Sequence, residues 1–116
     1  MSLLAALTLL AAQAGEFEPY RALGAAPLWQ ATINRDFMSF LTPGREMLVI
    51  ETPPRQETEL GFAHSTDAIS ISVEHAACRD ARTHAAFADR VSVRIGEAHY
   101  EGCGGPVVRE APANVP

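Results

Sequence analysis

Residues 69–74 read Ile69-Ser70-Ile71-Ser72-Val73-Glu74, an unbroken alternation of β-branched apolar and polar side chains. Successive side chains on a strand point to opposite faces. The pattern therefore predicts a half-buried strand with Ile69, Ile71 and Val73 turned toward a core. Val91-Ser92-Val93-Arg94-Ile95 repeats the alternation, Gly96-Glu97 suits a turn, and Ala98 to Cys103 is expected to pair back on it.

Toward the N-terminus the same grammar recurs. Leu28–Ile33 (LWQATI) and Phe37–Leu41 (FMSFL) flank Asn34-Arg35-Asp36, whose Asn and Asp favour a tight turn, so a hairpin is expected. Met47–Glu51 (MLVIE) is a further strand, stopped by Pro53-Pro54 because proline cannot donate to a ladder. Glu59–Ala63 is a weaker candidate. Glu16 to Gly24 reads as a lead-in, and the Ala-rich Cys78–Asp89 stretch as a loop with a turn or two of helix. Six or seven short strands with frequent turns predict a mainly β fold, a small antiparallel barrel or rolled sheet. Trp29, Ile71, Val73, Val93 and Ile95 are expected to share its core.

The first residues carry a different signal. Leu3 to Ala12 is an uncharged apolar run that leads into Ala12-Gln13-Ala14, the h-region and A-x-A site of a secretory signal peptide. At this length it is too short to cross a bilayer, which takes about 20 apolar residues. No cysteine follows it, which excludes a lipoprotein signal. The chain thus divides into a signal helix over 1–14, a β-rich domain over 15–106 and a flexible tail over 107–116. The mature protein is expected in the periplasm or outside the cell, with no stable membrane span.

One domain is what 116 residues accommodate. Its 14 acidic against 9 basic residues give a net charge of −5. That is the reverse of the basic surplus that displaces counterions from phosphate, so nucleic acid is not expected as a partner.

Export decides how the cysteines read. Two cysteines in an oxidising compartment pair, and joining Cys78 to Cys103 closes a loop of about 26 residues, worth roughly 3.5 kcal/mol in the chain-entropy model. The competing chemistry is a Cys2His2 zinc set from His75-x2-Cys78 and His99-x3-Cys103. Exported thiols oxidise readily, and residues three apart on a strand face opposite ways. The disulfide is the preferred reading, and no cofactor is expected.

The remaining motifs favour structure over catalysis. Asp80 and His84 would share a helix face as an acid–base pair, but Asp80 just after Cys78 is better placed to accept backbone N–H bonds that fix the loop. Gly102, Gly104 and Gly105 precede no helix that would cradle a phosphate, and read as backbone freedom around the disulfide. A lone Trp29 on an alternating strand belongs to a core more often than to a carbohydrate platform. No nucleophile-elbow serine and no carboxylate pair stands out.

Taken together, Gly24-x-x-Pro27-x-Trp29, Cys78-x-Asp80 and Tyr100-x-Gly102-Cys103-Gly104 form an ordered set. The set resembles an uncharacterised family of bacterial envelope proteins patterned G-x-E-P-F-W, C-x-D and Y-x-G-C-G, itself loosely similar to the HslJ-like (META) domains. Ala26 stands where that family has Glu, and Leu28 where it has Phe. The resemblance spans Tyr20 to Gly104 and implies a small β-rich envelope fold with no assigned activity. A non-enzymatic module that binds an envelope protein or ligand is the functional expectation. The alternatives are a periplasmic metal-binding protein or small enzyme using His75, Asp80, His84 or His99, and an inhibitor of cell-wall lytic enzymes.

Overall fold

The computed structural model describes residues 19–108. The signal segment expected over 1–14 and the tail from 109 onward lie outside the described residues. Ten strands are found among those described: β1 (Tyr20–Ala25), β2 (Leu28–Ile33), β3 (Phe37–Leu41), β4 (Leu48–Glu51), β5 (Arg55–Glu57), β6 (Gly61–Ser65), β7 (Ile69–Glu74), β8 (Cys78–Arg79), β9 (Ala86–Ile95) and β10 (Ala98–Val107). All pairings are antiparallel, in the order β4-β3-β2-β1-β10-β9-β7-β6-β5, with β8 also paired to β9. The sheet curls into a half-barrel. Its two free edges, β4 and β5, are consecutive in the chain, so Thr52-Pro53-Pro54 carries the backbone across the open seam.

The curl follows from how inward residues line up across the strands. One row runs Trp29–Gly24 across the β1–β2 pair and Gly102–Val91–Val73–Phe62 across β10, β9, β7 and β6. The next holds Tyr100, Val93, Ile71 and His64. Small residues dominate on β1 and β10, and large rings from other strands fill the space above them. Trp29 lies so close over this floor that a Cβ on Gly24 would sit 2.0 Å from its Nε1, and one on Gly102 only 2.8 Å from its Cζ2. The indole nitrogen donates to the Glu101 carbonyl at 3.2 Å. Phe40 stacks on Trp29 at 5.8 Å and meets Tyr100 at 4.8 Å, so rings from β2, β3 and β10 close the interior. Trp29, Phe40, Ile71, Val73 and Val93 are buried, while Ile95 is partly buried and packs against this core.

The sequence expectations are corrected in the number of strands, in the lead-in and after Cys78. Ten strands stand among the described residues, not six or seven. The lead-in contains β1, hidden because its inward positions are Tyr20, Ala22 and Gly24, with no large aliphatic residue to mark them. The expected helical turns after Cys78 are replaced by the two-residue β8, a turn over 81–83 and the start of β9 at Ala86. Strand β10 runs through Val107, and the Val108 amide donates to the Ala86 carbonyl at 2.8 Å.

Cys78 and Cys103 are bonded to each other, with their Cα atoms 5.5 Å apart. Inward residues of β10 are even-numbered, so Cys103 faces the outer side. The bridge therefore joins β8 to β10 across the outside of β9 and leaves the interior to apolar packing.

Candidate functional site

At one end of the half-barrel the inward rows turn from apolar to polar. On β9 the odd-numbered series Val93, Val91 continues to Asp89. On β7 the series Ile71, Val73 continues past the strand end to His75, and β1 opens with Tyr20. These three groups come from distant parts of the chain and meet at the mouth. The Tyr20 hydroxyl donates to Asp89 Oδ2 at 2.7 Å, and His75 Nδ1–H donates to Asp89 Oδ1 at 2.8 Å. Asp89 is only 5% exposed, so both carboxylate oxygens need these partners. Burial, followed by the hydrogen bond and the negative charge of Asp89, pushes the Tyr20 phenol far above its ordinary range. Tyr20 is therefore a fixed donor. The imidazole of His75 keeps its Nε2 outside this bond and is largely exposed.

A second histidine is fixed in the same way. His64, buried on β6, donates from Nδ1 to the Pro53 carbonyl at 2.8 Å and so ties the seam-crossing segment to the sheet. Phe62 stands between the two histidines, with ring centroids 5.8 Å from His64 and 5.9 Å from His75, and meets Tyr20 edge-on at 5.6 Å. The Arg55 guanidinium lies over the Phe62 ring, 3.9 Å from its centroid, and its Nε donates to Glu57 at 2.5 Å. Gly105 closes the far side in a left-handed conformation (φ 76°), where a Cβ would come 2.6 Å from Asp89 Oδ2.

These groups line an open cleft of about 1260 Å3 at the barrel mouth, together with Arg21 and Arg35. A smaller groove of about 510 Å3 lies toward Leu28, Trp29, Leu41, Asp80 and Thr83, with a mostly apolar lining. The polar constellation belongs to the larger cleft.

The sequence-derived candidates distribute differently. Asp80 is buried in the turn after β8, where its Oδ2 accepts from the Thr83 amide at 2.9 Å and the Thr83 hydroxyl at 2.7 Å. The Thr83 hydroxyl bond leads the causes that hold the Asp80 carboxyl below its ordinary range, against the opposing effect of burial. No helix brings His84 onto its face. His84 is exposed with φ 65°, and its amide donates to the Asp80 carbonyl at 2.8 Å. His99 is exposed on the outer phase of β10, opposite Arg94. The Cys2His2 set is not assembled, since the two sulfurs are joined to each other, His75 belongs to the mouth cleft and His99 faces outward. Among the described residues no three His, Cys, Asp or Glu side chains gather to hold a metal. Gly24, Trp29, Tyr100 and Gly102 form the core packing described above. Pro27 forms the β1–β2 turn, and a Cβ on Gly104 would sit 2.7 Å from the Tyr20 hydroxyl.

Asp89, Tyr20 and His64 are absent from the sequence-derived candidates. Asp89 carried one faint signal, as the polar residue that ends the inward row Val91, Val93, Ile95. Its partners are 69 and 14 residues away, so no local motif marks it. Compared with known protein families, with characterised proteins and with solved structures, the chain matches none of them.

Proposed function

We propose that this chain is an exported domain of the bacterial envelope that binds a ligand without transforming it, and that the mouth cleft is its binding face. The A-x-A site, the disulfide and the motif likeness to envelope proteins support the location. The observation that carries the binding reading is the state of the cleft's polar groups. Both Asp89 oxygens are engaged, Tyr20 is held protonated, and the one other hydroxyl lining the cleft, Thr52, donates to the Asn34 carbonyl at 2.8 Å. Neither lining hydroxyl is hydrogen-bonded to a histidine that could take its proton, as an activated nucleophile would be. Rigid strands and a seam pinned by His64 present a preformed, partly apolar concavity, which is what small ligands select.

One observation favours a second reading, a small acid–base enzyme. A histidine whose Nδ1–H is held by a buried carboxylate has the orientation of a general base. His75 has that partner in Asp89.

A thermal-shift assay separates the two. Disulfide-intact protein is mixed with the low-molecular-mass fraction of a bacterial envelope extract. The binding reading predicts a raised Tm, lost in a His75→Ala and Arg21→Ala double variant, with the added compounds recovered unchanged by mass spectrometry. Consumption of a compound by wild type and not by His75→Ala would establish the enzyme reading instead.

A further inference from the structure

We infer that a second copy of this chain pairs with the free edge of β4, joining two half-barrels through an antiparallel β4–β4 contact centred on Leu48.

The two edges of the sheet are built differently. Strand β5 is Arg55-Gln56-Glu57, exposed throughout and entered from Pro53-Pro54, and both charge and proline discourage pairing with another chain. Strand β4 ends the sheet on the other side with Leu48, Val49 and Ile50, none of which carries such a guard. Val49 and Met47, which stands just before the strand, are both more than half exposed.

The ladder fixes where the free backbone groups of β4 point. In an antiparallel pair, hydrogen-bonded and non-hydrogen-bonded positions alternate. The Thr52 amide donates to the Asp36 carbonyl at 2.9 Å, so the opposed pairs Met38–Ile50 and Phe40–Leu48 also carry β3–β4 bonds. Val49 and Glu51 therefore turn their N–H and C=O groups away from β3, toward an edge with no further strand among the described residues. Extending the strand backward gives Met47 and Arg45 the same direction.

A two-fold contact sets residue i against j and j against i. Across this edge the residues that can exchange backbone bonds are the odd-numbered ones. Centred on Leu48, the contact opposes Met47 to Val49 and Arg45 to Glu51 of the second copy. The first pair is apolar, the second is oppositely charged, and symmetry repeats both. Arg45 and Glu51 are exposed and make no side-chain hydrogen bond or ion pair among the described residues, so both charges are open to that partner. Centring on Val49 instead would set Met47 against Glu51 and Arg45 against Pro53, which has no amide to donate. The free amides and the charges select the same register.

The test is sedimentation velocity of the disulfide-intact protein, in a concentration series up to about 1 mM, where a species of twice the single-chain mass should appear. Arg45→Glu and Glu51→Arg each set like charges against each other at both ends of the contact, and each should weaken the dimer about tenfold or more. Both positions are exposed, so both variants should keep the wild-type Tm. Mixed in equal amounts, the two variants oppose every charge to its opposite, and their heterodimer should recover wild-type affinity. Val49→Lys sets a charge into the apolar edge and should leave single chains only. A protein that stays a single chain throughout the series would overturn the inference. So would a dimer that all three variants retain, or weakened charge variants whose mixture recovers nothing.

Discussion

Tyr20, the first residue of β1, donates its hydroxyl to Asp89 on β9, 69 residues later in the chain, at a distance of 2.7 Å. The bond spans β10, which lies between their two strands, and fixes the carboxylate that holds His75 from its other oxygen. The mouth of the half-barrel is thereby built from three segments that no local sequence pattern connects.

Replacing Tyr20 by Phe keeps the ring against Phe62 but removes one partner of a buried carboxylate. Stability should fall by about 1–3 kcal/mol, measured by urea unfolding at neutral pH. The phenol's folded-state value is raised, so the neutral form is favoured by folding. Its contribution is complete below the ordinary tyrosine value of 10.0 and is lost as pH rises above it. Wild type should therefore lose its advantage over Tyr20→Phe in alkaline solution. A gap that stays constant into strong alkali would contradict the bond.

Gly24 carries the indole of Trp29, and a methyl group there would overlap the ring nitrogen. Gly24→Ala should destabilise the domain by about 1–3 kcal/mol, the usual cost of overpacking. Trp29 fluorescence should move to the red as the ring is displaced. An unchanged emission maximum together with an unchanged Tm would show that the indole does not lie on this strand.

How much of this could be read beforehand depends on what each strand buries. Strands β2, β3, β7 and the latter half of β9 turn bulky apolar residues inward at alternate positions, and their patterns were legible. Strand β1 escapes notice because Trp29 fills the space over Gly24 that its own side chains would otherwise occupy. Strand β5 is Arg55-Gln56-Glu57, an exposed edge with no apolar residue, and charge on an edge discourages pairing with other chains. The disulfide was legible from the expected export and the count of cysteines. The mouth constellation was not, because Tyr20, Asp89 and His75 become neighbours only when β1, β10, β9 and β7 are laid side by side.

The Asp80 turn has a signature in acid. Its carboxyl is held below the ordinary range, chiefly by the Thr83 hydroxyl, so the charged form is favoured by folding. That contribution is present above the ordinary aspartate value and is lost as pH falls through the lower folded-state value. The difference in Tm between wild type and Asp80→Asn should shrink as pH is lowered from neutrality to below about 3.8. A difference that grows in acid would reverse the assigned sign.

Removing the bridge tests what holds β8 to β10. Replacement of both Cys78 and Cys103 by Ala should cost roughly 2–4 kcal/mol. Thiol titration of denatured, unreduced wild type should find no free sulfhydryl, because the two are bonded to each other. Two titratable thiols in freshly purified protein would mean that the outer face is held some other way.

The account stands or falls on the mouth cleft being the face this domain uses. The most direct measurement is an amide chemical-shift map of the disulfide-intact protein, recorded while the low-molecular-mass fraction of a bacterial envelope extract is added. The account predicts shifts gathered around Tyr20, Arg21, His64, His75, Asp89 and Gly105. Shifts gathered instead on the exposed apolar outer face at Phe37, Leu41 and Val49, with the mouth residues unmoved, would contradict it.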